Sequence, residues 1–311
     1  MSTSPGTQQT QHVDVSDSEA VVIFGEVLFD CFEDGSRVLG GAPFNVAWHL
    51  RAFGVDPILV SRVGADENGE RIRRTMAQWG MRTDGLQTDV SHPTGEVRVR
   101  LRDGQPEFEI VPDQAYDHIV AEPLRLRDNR LLYHGSLATR ARDSDLALRR
   151  LRDVLGSPVF VDVNLRKPWW DAERVAEQLA AARWVKLNED ELALLTADLQ
   201  SLDLESRARR MLERHALELL VVTQGEKGAI ALDAHGRCSR SEPKDRVQVV
   251  DTVGAGDGFA SVCILGLLRG WPTDVLLQRA QQFASRVVGY RGATISDGAL
   301  YHDLLDQWQV D

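Results

Sequence analysis

The sequence predicts an α/β fold with a doubly wound, mostly parallel sheet and a small β lid. Short apolar runs, such as residues 21–24 (VVIF), alternate with stretches of helical periodicity, such as 67–79. This alternation indicates βαβ units, and the continuous apolar character of the strands indicates a sheet covered on both faces. Residues 95–111 alternate apolar and charged side chains instead, which predicts an antiparallel hairpin.

The remaining elements are predicted in chain order by the same two patterns. Runs of Val, Ile, Leu and Phe predict buried strands at 21–24, 57–60, 131–133, 158–161, 184–187, 219–222 and 229–232. Apolar residues at helical spacing predict helices at 45–53, 67–79, 144–155, 171–182, 189–197, 204–215, 256–268 and 273–290.

The lid is predicted over about residues 31–39 and 95–112. Its hairpin carries Arg98, Arg100 and Arg102 on one face. A solvated face is the favoured interpretation of these arginines. A contact with substrate, or with a second subunit in a homodimer, is the alternative.

Composition limits the classes of function. The chain has 311 residues, 43% hydrophobic and 27% charged, and a net charge of −11. The acidic balance, without a strong basic run, argues against nucleic acid as a partner. No apolar run is long enough to span a membrane, and no signal peptide is apparent. Residues 1–18 are expected to be a disordered tail, and residues 19–311 a single domain.

The three cysteines indicate the cell compartment. Cys31, Cys238 and Cys263 are far apart and have no metal-binding spacing. An odd number of separated cysteines is typical of reduced thiols in a cytoplasmic protein. We therefore expect a cytoplasmic location.

The segment DTVGAGDG, residues 251–258, is the first candidate site. It precedes a predicted helix, and its glycines let backbone amides approach an anion. Asp257 falls in the first helical turn, where the helix dipole favours a carboxylate that can act as a general base. A plain helix cap is the structural alternative. Phe259 stands where a dinucleotide-binding fingerprint requires glycine, and the chain has no Walker-type phosphate loop.

A second glycine-rich segment, GGAPFNVAWH, covers residues 40–49. Gly40 and Gly41 permit close backbone approach, and Asn45 offers both a donor and an acceptor. Asp30 follows the first strand, where α/β sheets place ligand-binding groups. This combination suits sugar hydroxyls, although Asn45 as a helix cap and Asp30 as a loop residue are the simpler interpretations.

Three further polar segments follow predicted strands. VTQGEKGA (222–229) is either a turn that faces a phosphate or a simple hairpin turn. In KLNEDEL (186–192), Asn188 and Glu191 are spaced either to order water around a divalent ion or to cap a helix. DVNLRKPWW (162–170) places Arg166 after another strand. All these segments fall at the carboxyl ends of parallel strands, where ligands bind in open α/β sheets.

These segments resemble the signatures of the ribokinase-like, or PfkB-type, carbohydrate kinases. DTVGAGD resembles the C-terminal signature, and GGAPFNVAWHLRAFG resembles the N-terminal one in the form typical of bacterial fructokinases. KLNEDEL resembles the family's Asn-x-x-Glu segment, and VTQGEKGA its nucleotide-side turn. The resemblance extends from about residue 21 to 296. It implies a ribokinase-like fold with a small β lid.

The resemblance also implies roles for individual residues. Asp257 would be the catalytic base, with Gly254, Ala255 and Gly256 as the anion hole. Sugar-binding residues would be Asp30, Gly40, Gly41, Asn45 and Arg166. Nucleotide-side residues would be Asn188, Thr223, Gly225 and Gly228, with Glu191 organising Mg²⁺ through water. A monovalent cation, such as K⁺, would be held by Asp251, Val253, Gly292 and Ser296.

The implied activity is transfer of the ATP γ-phosphate to a sugar hydroxyl, with Mg²⁺ as cofactor. Fructose is the leading acceptor, and fructose 6-phosphate the product. The alternatives are a 2-keto-3-deoxygluconate kinase, a nucleoside kinase and, outside enzymes, a sugar-binding sensor on the same fold. The complete glycine and aspartate set of the 251–258 segment disfavours the sensor.

Overall fold

A computed structural model describes residues 20–102, 105–121, 129–243 and 248–309. The expected disordered tail, residues 1–18, lies outside the described residues. The described residues form a main sheet covered by helices on both faces and a second, smaller sheet.

The main sheet contains nine strands among the described residues. In chain order these are β1 (Ala20–Phe24), β4 (Ile58–Gly64), β5 (Leu86–Asp89), β8 (Asn129–His134), β9 (Val159–Asp162), β10 (Trp184–Asn188), β11 (Leu219–Thr223), β12 (Ala229–Asp233) and β13 (Cys238–Ser241). Their order across the sheet is β13-β12-β11-β10-β9-β8-β1-β4-β5. Neighbours from β5 to β11 pair in parallel, whereas β11–β12 and β12–β13 are antiparallel. The predicted doubly wound, mostly parallel sheet is confirmed.

Helices cover both faces of the main sheet. Successive residues of a strand point to opposite sides of the sheet, so an apolar strand such as β1 contributes side chains to a core on each face. Val21 and Ile23 belong to one core, and Val22 and Phe24 to the other. Helices on the first side are α1 (Ala42–Ala52), α2 (Glu67–Gln78), α7 (Ala255–Leu268), α8 (Thr273–Val287) and α9 (Gly298–Trp308). Helices on the second side are α3 (Arg142–Leu155), α4 (Ala172–Ala181), α5 (Glu189–Leu195) and α6 (Leu204–Arg214).

The smaller sheet has four strands within the part of the chain that the structure describes. They are β2 (Leu28–Phe32), β3 (Arg37–Gly40), β6 (Gly95–Arg102) and β7 (Gln105–Ile110), in the order β3-β2-β6-β7. The predicted hairpin forms, with Val97 opposite Ile110 and Val99 opposite Phe108. Phe108 is 53% exposed, because β7 is the outer strand of this sheet. Arg98 and Arg100 are exposed and pair with Glu109.

Strands β5 and β13 and helix α9 are among the described elements that were not predicted. Strands β5 (LQTD) and β13 (CSRS) are short, polar edge strands without an apolar run. Helix α9 begins at a glycine and has its N-terminus capped by Asp297. None of the helices among the described residues is long and apolar enough to cross a bilayer.

Helix α7 is apolar on nearly every face because it packs between other helices and the sheet. Its residues 258–266 are all buried. The Phe283 ring of α8 lies against Gly258, where an added Cβ would sit 3.2 Å from the ring. Phe283 therefore helps to position the start of α7.

Phe283 supports a stability prediction. Its side chain is fully buried, with ring centroids 5.0 Å from His49, 4.9 Å from Phe53 and 5.6 Å from Tyr301. We expect Phe283→Ala to lower the free energy of unfolding by about 3–5 kcal/mol, because it leaves a cavity. The matched control Phe108→Ala removes the same atoms from an exposed position and should cost less than about 1 kcal/mol. Equal urea midpoints for the two variants would contradict this packing.

Candidate active site

The two glycine-rich segments meet at a hydrogen bond between Asn45 and Asp257. Asn45 Nδ2 in α1 donates to Asp257 Oδ2 in the first turn of α7 over 2.7 Å, although the two residues are 212 positions apart. Gly254 caps α7 with φ of 81°, and a Cβ there would lie 2.4 Å from Ala293 Cβ. Only glycine fits this position without displacing the neighbouring loop.

Asp257 has a perturbed proton affinity. Burial raises the pKa of the Asp257 carboxyl to about 6, whereas the hydrogen bond from Asn45 favours the ionised form and lowers this pKa. The Asp162 carboxylate raises this pKa further, while the Lys186 ammonium and the Arg166 guanidinium lower it. A carboxylate that is ionised at neutral pH yet binds protons more tightly than usual is suited to be a general base.

A buried ion pair between Lys186 and Asp162 lies beneath this turn. Lys186 Nζ donates to both carboxylate oxygens of Asp162, at 2.9 and 2.8 Å. A Cβ on Gly256 would lie 3.6 Å from the same ammonium. The pair was not predicted, although a lysine inside the apolar strand WVKLN is a signal, because lysine is rarely buried without a partner.

Asp30 and Gly40 lie beside Asn45, the residue that donates to Asp257. A Cβ on Gly40 would sit 3.7 Å from Asp30 Oδ2 and 4.0 Å from Asn45 Oδ1. Gly41 has φ of 107°, and a Cβ there would come within 2.7 Å of the Glu26 carbonyl oxygen. Burial raises the pKa of Asp30 to about 6, while the Arg166 guanidinium lowers it and the Asp251 carboxylate raises it.

Glu26 is a further residue of this group that was not predicted. It is buried, and its Oε2 has no hydrogen-bond partner among the described residues; the same holds for Oδ1 of the buried Asn45. Burial raises the pKa of Glu26 to about 7. The positive charge of Arg166 lowers this pKa, and the carboxylate of Asp257 raises it. Two buried acceptors without donors suit a ligand that carries hydroxyl groups. The signal was the carboxylate in GEVLFD, directly after β1.

Arg166 is the cation that these carboxyls share. Its side chain is exposed, and its charge lowers the pKa of Glu26, Asp30 and Asp257. The structure thus brings together the predicted sugar-side residues around the predicted base.

The predicted nucleotide-side residues lie at the ends of β10 and β11. Asn188 and Thr223 are partners in the parallel register of these strands. Asn188 and Glu191 form a capping box: Asn188 Oδ1 accepts from the Glu191 amide at 2.8 Å, and Glu191 Oε2 accepts from the Asn188 amide at 2.9 Å. Glu191 Oε1 also accepts from the Leu165 amide at 2.7 Å. The capping interpretation therefore holds, and each carboxylate oxygen keeps a further lone pair for a ligand.

Gly225 and Gly228 shape the turn between β11 and β12. Gly225 has φ of 57° and Gly228 φ of 97°. A Cβ on Gly228 would overlap the Ser241 carbonyl oxygen, at 1.9 Å. This turn therefore needs glycine for its backbone path, whatever it binds.

The predicted cation loop is partly assembled. Asp251 Oδ1 accepts from the Val253 amide and Oδ2 from the Gly292 amide, both at 3.0 Å. Ser296 is an exposed residue of the same connection between α8 and α9. The loop that could hold an ion is thereby tied to the segment that carries Asp257.

Comparison with known proteins identifies the family. A sequence profile described as pfkB family carbohydrate kinase matches residues 20–299. The chain belongs to this family. The match confirms the prediction of an ATP-dependent carbohydrate kinase. A relative from Arabidopsis thaliana, the probable fructokinase-7, is 28% identical over 307 residues, which cover 89% of this chain and 86% of the relative.

Solved structures agree with this carbohydrate-kinase fold. A Xylella fastidiosa fructokinase with bound ATP superposes with a TM-score of 0.81 at 23% identity, covering 94% of this chain and 99% of that one. A Vibrio cholerae O395 fructokinase with bound fructose, ADP and calcium ion superposes with a TM-score of 0.78 at 24% identity, covering 93% and 100%. At these identities the likeness establishes the fold.

Glu26 makes the stability of the kinase depend on pH. A carboxyl whose pKa rises from 4.5 unfolded to about 7 folded stabilises the protein when protonated, and this contribution is lost as pH rises from about 4.5 through about 7. We expect Glu26→Gln, which stays neutral, to exceed wild type in free energy of unfolding by roughly 1–3 kcal/mol at pH 8 and to lose that advantage near pH 4.5.

Urea unfolding of both proteins across this pH range measures the effect. Glu70→Gln, at an exposed position of α2, is the matched control and should follow wild type. A pH-independent difference between Glu26→Gln and wild type would contradict the raised pKa.

Proposed function

We propose that the protein transfers the γ-phosphoryl group of ATP to a hydroxyl of a neutral sugar, with fructose as the leading acceptor. The observation that carries the proposal is Asp257 in the first turn of α7, held by Asn45 at 2.7 Å and preceded by a glycine-rich turn. The fructokinase names of the sequence relatives support the choice of sugar.

In this proposal Asp257 accepts the proton of the attacking hydroxyl. Gly254, Ala255 and Gly256 offer their amides to the negative charge that develops on the transferred group. The Lys186 ammonium below Gly256 adds positive potential at the same place, while Asp162 keeps that ammonium in position. Phosphoryl transfer depends mainly on such positioning and electrostatics.

The nucleotide would lie along Thr223, Gly225 and Gly228, next to Asn188. Mg²⁺ would be held through water by Glu191, whose buried carboxylate keeps lone pairs free beyond its two backbone bonds. The ion would neutralise phosphate charge when bound. A monovalent cation in the loop of Asp251, Val253, Gly292 and Ser296 remains part of the proposal.

The charges favour a neutral acceptor over an acid sugar. Glu26 and Asp30 lie on the sugar side with raised pKa values, and Arg166 is the cation that compensates them and Asp257. A sugar carboxylate, as in 2-keto-3-deoxygluconate, would compete with these groups for Arg166. The unpartnered Glu26 Oε2 and Asn45 Oδ1 instead suit the hydroxyls of a neutral sugar.

A nucleoside is the second candidate acceptor. Phe32 is 39% exposed and, with Phe108, shares the face of the small sheet that carries Asp30. An aromatic side chain beside the sugar site could stack on a base.

The small sheet would act as a lid that excludes water during transfer. A homodimer through this sheet is also part of the proposal, supported by the exposed apolar side chains of Phe32, Val38 and Phe108. The three cysteines are free thiols, which supports a cytoplasmic location.

The first test is ATP turnover with Mg²⁺ across neutral sugars, keto acids and nucleosides. We expect one neutral sugar to give turnover, and Asp257→Asn to lower kcat by about 10²–10⁴ because the base is lost. Asp274→Asn is the matched control, since it changes an aspartate in the first turn of the neighbouring helix α8 and should keep full activity. Unchanged kcat in Asp257→Asn would remove Asp257 as the base.

The pH dependence is a separate test. Because the base must be ionised and its pKa is about 6, kcat/KM should fall with decreasing pH below about 6 and level off above it. Steady-state rates measured at constant ionic strength between pH 5 and pH 8 give this dependence of kcat/KM on pH. A profile that stays flat down to pH 5 would contradict a base with this pKa.

A further inference from the structure

A cluster of histidines and an aspartate lies by β5, an edge strand of the main sheet. His92, Asp113 and His118 place one ligand atom each within 4.8 Å of one another; we call them the His–Asp cluster. It lies by the edge strand β5, whereas the Lys186–Asp162 pair and Asp257 belong to the β9–β10 side. None of its residues belongs to the proposed active site.

The Nε2 atoms of both imidazoles face the Asp113 carboxylate. Asp113 Oδ1 lies 2.9 Å from His118 Nε2 and 3.7 Å from His92 Nε2. The two rings stack, with centroids 3.7 Å apart and an interplanar angle of 14°. Both Nε2 atoms therefore lie on the same side of the stacked pair, beside Asp113. Because an imidazole nitrogen binds a metal in the plane of its ring, the two rings would have to turn apart to share one ion with Asp113.

The other nitrogen of each ring is held by its own carboxylate. His92 Nδ1 lies 3.0 Å from Asp89 Oδ2, and His118 Nδ1 lies 3.2 Å from Asp143 Oδ2. Asp89 is buried and is fixed by Arg62 Nε at 3.0 Å. A carboxylate that accepts the Nδ1 proton leaves Nε2 as the metal-binding nitrogen, and this arrangement recurs at histidine metal sites.

A cleft of about 310 Å³ adjoins the cluster on the side of the Asp89 and Asp143 carboxylates, and both histidines line it. Two histidines and one carboxylate with an open fourth position form a ligand set typical of zinc. The donor types also disfavour Mg²⁺, which prefers oxygen ligands.

We propose that the His–Asp cluster binds a divalent transition metal, zinc by its ligand set, through His92 Nε2, His118 Nε2 and Asp113. His92 precedes β6 and Asp113 and His118 follow β7, so the ion would join the chain that enters the hairpin to the chain that leaves it. Bound zinc would brace the base of the small sheet.

The test is titration of Zn²⁺ into chelator-treated, full-length protein without nucleotide, followed by calorimetry. We expect a saturable site in wild type that is weakened at least about tenfold in Asp113→Asn, whose exposed side chain can change without disturbing the core. His118→Gln should remove the site. Asp143→Asn, which changes the group behind His118, should weaken it by about tenfold.

The matched control is His302→Gln. His302 forms an exposed pair with Asp306 at 3.7 Å but lies outside the cluster, so its replacement should leave zinc affinity unchanged. Circular dichroism of each variant checks that it is folded. Co²⁺ in place of Zn²⁺ should give the visible absorption of a four- or five-coordinate ion in wild type and in His302→Gln, and this absorption should be lost in His118→Gln. Absence of a saturable site in wild type, or wild-type zinc affinity in both Asp113→Asn and His118→Gln, would overturn the proposal.

Discussion

The hydrogen bond from Asn45 to Asp257 is the contact on which the candidate active site depends. It joins the start of α1 to the start of α7, and each helix begins at a glycine-rich turn. Both helices pack in the same core on one face of the main sheet. The bond forms only because that core sets the two helix starts side by side. The predicted sugar-side and phosphate-side groups therefore share the Asp257 carboxylate.

Burial of several charges in a small volume is the second constraint. Glu26, Asp30 and Asp257 all have raised pKa values, with burial as the main cause. Arg166 offsets part of this effect, and Lys186 acts on Asp257 from below. Carboxyls with raised pKa values lower the free energy of unfolding at neutral pH, because ionising them is less favourable in the folded state than in the unfolded state. The proposed function would explain their retention, because a base of intermediate proton affinity, and acceptors without a partner among the described residues, are useful for binding and activating a hydroxyl.

The small sheet lies between the candidate active site and the His–Asp cluster. Strand β2 carries Asp30 towards the sugar side, and the hairpin β6–β7 is flanked at its base by the His–Asp cluster. A bound ion at the base would limit movement of the hairpin relative to β5. From this position the ion would restrain the small sheet and would take no part in phosphoryl transfer.

The sequence by itself determined the fold class and the family signatures, and it predicted Asp257 as the base. These follow from local information, since apolar runs, helical periodicity and glycine spacing are properties of short segments. Edge strands β5 and β13 and helix α9 lack strong local patterns and were not predicted. Only the tertiary structure decided that Lys186 pairs with Asp162, that Glu26 lies beside Asp257, and that His92 stacks on His118. Each depends on contacts between residues distant in the chain, and the spacing of residues along a chain does not specify which of them meet in space.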